Sequence, residues 1–240
     1  MTHEQALETS YKLLSPFSDK QRWEFNNNLV HLRFITRYLE PDGKLLDAGS
    51  GIGILTLALN LLGYKVEGMD KYVFQGHTAY YIEDQNRLRS IWEKQGVKIT
   101  EKDLLAEAIS EKYDGVISVA VIEHQKDPRG FLRSIIAPLR TGGQIYLATP
   151  NVTHILNRVR FAFGRPPLGN LKEFFDAGVA FTGHWREYSR KELKSFFEWV
   201  DLDIVTARNL QSMKPSLCVK APRDVYVHFF RLIGALLPGC

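Results

Sequence analysis

Between Leu45 and Leu59 the chain reads LLDAGSGIGILTLAL, an apolar run, three glycines at alternate positions and a second apolar run of helical length. Few folds can use such a segment. Glycine takes positive φ without steric cost and lets a backbone pass close to a ligand, so Gly49, Gly51 and Gly53 read as a tight turn. It joins a strand ending at Asp47 to a helix over Ile54 to Leu62. In parallel α/β sheets ligands sit at the carboxyl ends of the strands, and a turn of this kind accepts one of nucleoside size.

The rest of the chain follows the same plan. Strand-like runs alternate with helix-length segments: KLLDA, the helix after the glycines, KVEGMD, a polar helix from Ala79 to Lys94, VKIT, a short helix, YDGVISVA, a helix from Phe131 to Leu139, and GQIYLAT. This order predicts an α/β fold, a doubly wound and mainly parallel sheet with helices on both faces. Upstream, Leu29, Leu32, Phe34, Ile35 and Leu39 stand at helical spacing and predict N-terminal amphipathic helices that stop at Glu40-Pro41-Asp42-Gly43. After Asn151 the alternation breaks. Residues 152–182 are rich in Phe, Arg, Gly and Pro and read as a helical lid insert beside the ligand edge of the sheet. Ser189 then opens a helix with the capping pattern Ser-Arg-Lys-Glu, and LDIVTA reads as a sixth strand. PSLCVKA begins at a proline and makes a poor central strand, so six strands are expected. A last helix over Val225 to Leu237 is too short to cross a bilayer and would leave apolar surface exposed, which suits a homodimer or a peripheral membrane contact; otherwise the chain is a monomer. The expectation is one domain over 1–240: N-terminal helices to residue 43, a cofactor-binding core over 44–150, the insert over 151–188, and the end of the fold from 189.

Composition narrows the class. With 45% hydrophobic and 24% charged residues the chain has globular proportions, and no apolar run reaches the roughly 18 residues of a membrane span. Its start, MTHEQALETSYKLLS, carries no export signal, so a cytoplasmic protein is expected. Cys218 and Cys240 then read as free thiols. The net charge of +4 is scattered, not gathered into a block, and no nucleic-acid partner is expected. Carboxylates and histidines show no ligand spacing along the chain, and no metal is expected.

Two cofactor classes use a glycine turn of this kind. The dinucleotide pattern G-x-G-x-x-G would need a glycine where Ile54 stands. The observed pattern, Asp-x-Gly-x-Gly-x-Gly from Asp47 to Gly53, resembles motif I of the class I S-adenosylmethionine-dependent methyltransferases. Further segments fall in that family's order. GMDKY sets Asp70, with Lys71 beside it, where the family's acidic residue accepts the ribose hydroxyls; EKDLL offers Asp103 for the adenine amino group and the backbone of Leu104 beside the ring. Ile122-Glu123-His124 with Asp127-Pro128, after a strand ending near Val119, resembles the ubiquinone-biosynthesis O-methyltransferase branch. TPNVTHILNRVRFAFGRPP and FTGHWREYSRKEL resemble a bacterial branch associated with methylation of cell-surface glycans and lipid intermediates.

The resemblance implies an enzyme that holds S-adenosyl-L-methionine through Asp47, Gly49, Ser50, Gly51, Gly53, Asp70, Lys71, Asp103, Leu104 and Val119. It implies transfer of the methyl group to a small-molecule acceptor, foremost a hydroxyl oxygen of a glycan, lipid intermediate or aromatic compound. His124 and His184 are candidate bases, and Glu123 either touches cofactor or acceptor or fixes its loop. Phe161, Phe163, Phe174, Phe175, Phe181 and Trp185 form an acceptor wall or the insert's own small core, and Arg158, Arg160 and Arg165 meet an anionic group or simply solvent. Plainer readings stand beside these: Asp70 as a helix cap, Asp103 as a solvated loop carboxylate, both histidines as structural, and the chain as a cofactor-binding accessory protein or a nicotinamide oxidoreductase.

Overall fold

The structure, a computed structural model, describes residues 1–15, 17–71, 85–166 and 171–210. They group into two compact units, one of residues 1–122 with 127–148 and the other of 123–126 with the chain from 149 onward.

The first unit holds the sheet. Its strands are β1 (Lys44–Ala48), β2 (Lys65–Asp70), β3 (Lys98–Glu101), β4 (Tyr113–Val119) and β5 (Leu139–Ala148), all parallel, in the order β3-β2-β1-β4-β5. β1 and β4 are buried along consecutive residues, as strands covered on both faces must be, which is why they read as unbroken apolar runs. The order reverses between β1 and β4, and at that switch point a parallel sheet opens a crevice at its carboxyl edge.

The helices that flank this sheet are α1 (His3–Leu13), α2 (Phe25–Tyr38), α3 (Ile54–Leu61), α4 (Gln85–Lys94) and α5 (Pro128–Ile136). A capping box of Thr2 and Gln5 starts α1, whose Ala6, Leu7, Ser10 and Tyr11 are buried. The helix expected from Phe131 to Leu139 lies further upstream. Asp127 accepts from the Gly130 amide at 2.9 Å and Pro128 stands at the first helical position, two start signals that place the helix at 128 and release Leu139 to begin β5.

The second unit contains α6 (Ile155–Ala162), α7 (Leu171–Ala177) and α8 (Arg190–Glu198). The expected capping box is present, with Ser189 Oγ and the Glu192 carboxylate each accepting from the other's backbone amide. LDIVTA is not a strand: residues 202–207 join no ladder and Val205 is 75% exposed. Its β-branched residues favour extended backbone only where a neighbouring edge and a covering face exist. The described sheet therefore has five strands, not six. PSLCVKA, the Val225 to Leu237 segment, Cys218, Cys240 and the first residues of the expected polar helix lie outside the described residues. No helix of the described residues is long and apolar enough to cross a membrane.

One contact inside the first unit makes stability depend on pH. His31 Nδ1 and the Tyr146 hydroxyl share a hydrogen bond of 2.9 Å, and burial lowers the His31 pKa from 6.5 to about 4. A lowered histidine pKa means that the unfolded chain binds the proton more readily, so stability is lost as pH falls from about 6.5 toward 4. Replacing His31 by Gln is expected to flatten the thermal midpoint over that range, measured by circular dichroism at a series of pH values.

Candidate functional site

The turn after β1 is held from several directions. Gly49, Gly51 and Gly53 have φ values of 87°, 55° and 85°, all in the left-handed region. The Gly49 and Ser50 amides donate to the Met69 carbonyl at 2.8 and 3.2 Å, and the Gly51 amide donates to Asp70 Oδ2 at 2.8 Å. Trp92 Nε1 donates to the Ile52 carbonyl at 3.1 Å, and Ser10 Oγ to the Ile54 carbonyl at 2.8 Å. One strand end and two helices thus fix one short loop. Neither Ser10 nor Trp92 was singled out from sequence, because a hydroxyl or an indole in an apolar helix face carries no mark of its target.

The three glycines answer to different neighbours. A Cβ at Gly49 would stand 2.3 Å from Val121 Cγ2, and one at Gly53 the same distance from Ile99 Cδ1. At Gly51 a Cβ would meet nothing within 4 Å among the described residues. The fold itself fills the space at the first and third positions and leaves the middle one open.

The acidic residues of this unit divide their work. Asp47 is buried and accepts from Thr56 Oγ1 at 2.7 Å, tying β1 to α3. Burial pushes its carboxyl up to about 7, against the pull of the Thr56 hydrogen bond, and the nearby charge of Asp70 adds to the rise. Asp70 is buried at the end of β2 and braces the middle of the turn. Lys71 Nζ reaches Asp103 Oδ2 at 3.4 Å, while Asp103 Oδ1 accepts from the Leu105 amide at 2.9 Å and Leu104 is buried beside it. Asp70, Lys71 and Asp103 are thus grouped at the ends of β2 and β3. Ser50 Oγ is buried without a hydrogen-bond partner. Val119 ends β4 and is followed by Ala120 at φ 56°, a left-handed conformation that costs an L residue about 1–2 kcal/mol.

The second unit gathers Glu123, His124 and His184, and one ligating atom of each lies within 4.8 Å of the others. Glu123 is fully buried; its Oε2 accepts from Thr149 Oγ1 at 2.8 Å and its Oε1 has no partner. Burial raises its pKa. The amides of Trp185 and Arg186 donate to the Glu123 carbonyl at 2.8 and 3.3 Å, which lays the segment around His184 against it. His124 Nδ1 is 2.9 Å from the Thr182 carbonyl, and His184 Nδ1 is 3.0 Å from Glu187 Oε1. Because both partners can only accept, each Nδ1 carries the proton. The Glu187 hydrogen bond raises the His184 pKa, with burial acting against it. The histidine rings meet edge to face, their centroids 4.7 Å apart. The three side chains meet although they show no ligand spacing along the chain. The partners come from distant segments, which spacing along the chain cannot reveal.

The aromatic set splits in two. Phe174, Phe181 and Trp185 pack edge to face with centroids 5.1–5.8 Å apart, and Lys126 Nζ stands 4.6 Å from the Trp185 ring centre. Phe161, Phe163 and Phe175 are exposed. Arg158 donates to the Thr153 carbonyl at 2.9 Å.

A family profile described as a methyltransferase domain matches residues 20–207, most of the chain. The chain belongs to the class I S-adenosylmethionine-dependent methyltransferases. A ubiquinone biosynthesis O-methyltransferase of Pseudomonas savastanoi pv. phaseolicola is 33% identical over 108 residues, 45% of this chain and 44% of the relative. The protein of that name from Xanthomonas axonopodis pv. citri is 30% identical over 148 residues, 59% and 55% of the two chains. The matched regions thus span about half the length of these curated relatives. A Thermotoga maritima structure described as a methyltransferase, possibly acting on histamine nitrogen, superposes with a TM-score of 0.50 at 18% identity over 79% of each chain, which shows the shared fold.

For this methyltransferase the glycine turn yields a paired test. Gly49→Ala drives a Cβ into Val121 at a left-handed φ and is expected to lower the thermal midpoint strongly. Gly51→Ala meets no atom of the described residues and should leave the midpoint within a few degrees, the left-handed strain costing about 1–2 kcal/mol, while weakening S-adenosylmethionine in a calorimetric titration. Trp92→Phe strands the Ile52 carbonyl and is expected to cost about 1–3 kcal/mol of unfolding free energy in urea.

Proposed function

We propose that the protein transfers a methyl group from S-adenosylmethionine to a hydroxyl oxygen of a small-molecule acceptor, a glycan, a lipid intermediate or an aromatic compound. The observation that carries this reading is the Gly51 position: a turn pinned by hydrogen bonds, open where a side chain would stand, at the switch point of a parallel sheet. Asp70 at its edge suits the ribose hydroxyls, and Asp103 with Leu104 suits the adenine. In S-adenosylmethionine the sulfonium already activates the methyl carbon, so the chain has to align acceptor and donor and keep water away.

Oxygen as the target is supported by the names of the relatives, and the chemistry of the second unit is compatible with it. With the proton of each imidazole held on Nδ1, the Nε2 of His124 or His184 bears the lone pair that can take a hydroxyl proton. The trio of Phe174, Phe181 and Trp185 offers a wall for a ring-shaped or apolar acceptor. We read the insert as the acceptor-side cover, with exposed Phe163, Arg160 and Arg165 available for a peripheral membrane contact. A cytoplasmic setting and a monomer or homodimer complete the proposal.

Calorimetric titration with S-adenosylmethionine, followed by mass spectrometry of phenolic, sugar and polyprenyl-linked acceptors for one added methyl, tests the reading. Asp70→Asn keeps an acceptor for the Gly51 amide but removes the charge, and should weaken the cofactor about tenfold, or about 1.4 kcal/mol. His124→Ala should lower kcat by about 10²–10⁴ at unchanged cofactor affinity. Failure to bind the cofactor, or preferential binding of a nicotinamide dinucleotide in the same titration, would overturn the proposal.

A further inference from the structure

We infer that the methyl acceptor is an amino sugar, whose ammonium group is held by Glu123 and the neighbouring imidazoles while the hydroxyl next to it is left to be methylated. A ring nitrogen of His124, one of His184 and a carboxylate oxygen of Glu123 lie within 4.8 Å of one another. Each Nδ1 proton is already given to a fixed acceptor, the Thr182 carbonyl or the Glu187 carboxylate. What the cluster offers a ligand is therefore acceptors, two Nε2 lone pairs and Glu123 Oε1. Acceptors gathered in this way call for a group rich in donors, and an ammonium carries three.

Glu123 decides the charge of that group. Its side chain is fully buried, and Oε1 has no hydrogen-bond partner among the described residues. Nearby donors are engaged elsewhere: Thr149 Oγ1 donates to the other carboxylate oxygen, Lys126 Nζ to the Val179 carbonyl, and Arg186 pairs with Glu192. A buried carboxylate in that condition is costly unless a positive charge reaches it. Burial raises the Glu123 pKa, and a cation beside Oε1 acts against the rise. A plain diol would supply donors and leave the charge unanswered. A phosphate would bring acceptors to acceptors, and an N-acetylated amine has lost the charge and two of its three donors. Among the acceptor classes proposed above, a glycan with a free amine beside a hydroxyl meets both demands. Recognition of the amine stands by itself; that the neighbouring hydroxyl gives its proton to His124 and takes the methyl group rests on the proposed function.

The test uses the full chain at pH 7 with a chelator present, and three probes that differ at a single carbon: the methyl glycosides of glucosamine, N-acetylglucosamine and glucose. Saturation-transfer NMR titrations in the presence of S-adenosylhomocysteine give the affinities, and tandem mass spectrometry after incubation with S-adenosylmethionine gives the products. The amine is expected to bind at least about tenfold more tightly than either analogue, because a site built around a buried hydrogen bond rejects ligands that lack it, and to gain one methyl on oxygen. Glu123→Gln should abolish the preference, and His184→Ala should weaken the amine by about threefold or more. Circular dichroism accompanies both variants, and the partly exposed His184 carries the test if the buried Glu123→Gln does not fold. Equal or tighter binding of either analogue, no binding of the amine at millimolar concentration, amine binding unchanged in the folded variants, or a methyl found on nitrogen overturns the inference. An amine preference without methyl transfer would leave the recognition standing and end the proposed function; methyl transfer to sugars or phenols without that preference would do the reverse.

Discussion

The hydrogen bonds from Gly49, Ser50 and Gly51 to the end of β2 are the constraint on which the first unit depends. A chain that turns through three left-handed residues points successive amides in one direction, and in a buried place those amides need acceptors. The Met69 carbonyl and the Asp70 carboxylate supply them. Because Gly53 directly precedes α3, the same bonds set where that helix begins and how it meets α1. They also explain Gly68 in the middle of β2. The turn folds back over that strand so closely that a Cβ there would stand 2.7 Å from Ser50 Oγ.

Two neighbouring carboxylates in a buried setting would repel each other if both were charged. Their hydrogen-bond partners differ. Asp47, wholly enclosed and bonded to Thr56, is raised to about 7 and serves to join β1 to α3. Asp70 lies where the turn meets the strand ends and is satisfied in part by a main-chain amide. Both carboxylates are buried, but Asp70 receives a main-chain amide of the turn, whereas Asp47 receives a side-chain hydroxyl of α3. In the second unit burial acts in the same direction on Glu123, but there the neighbours are imidazoles whose positive charge acts against the rise.

The parts of the fold legible in the sequence are those whose signal is local. The apolar residues at the heart of each parallel strand mark it locally, so KLLDA, KVEGMD, VKIT and YDGVISVA each match a strand to within a residue or so. The Ser189 cap was legible because its partner lies three residues away. The start of α5 is equally local, but its signal, Asp127-Pro128, lies three residues before Phe131, where the helix expected from the apolar residues begins. LDIVTA misled because strand propensity describes a residue on a covered pleated surface, and here no ladder forms. Least legible was the meeting of Glu123 and His124 with His184. It depends on main-chain bonds from Trp185 and Arg186 and on side-chain anchors at Thr149, Thr182 and Glu187, none of which any spacing rule connects.

The glycine turn shows how a requirement of the fold can be told from a requirement of a ligand. Gly49 and Gly53 are explained without any ligand, since Val121 and Ile99 occupy the space that a side chain would need. Gly51 has no such explanation. Its φ of 55° lies in the small left-handed basin that Asn and Asp enter at modest cost, and no atom of the described residues comes within 4 Å of its missing Cβ. A residue without a side chain, in a place where the fold would accommodate one, with its amide fixed by a buried carboxylate, leaves a length of bare backbone facing open space. Bare backbone is what a flat nucleoside needs for close approach. The first and third glycines therefore shape the turn, and the second is the position on which the proposed binding surface rests.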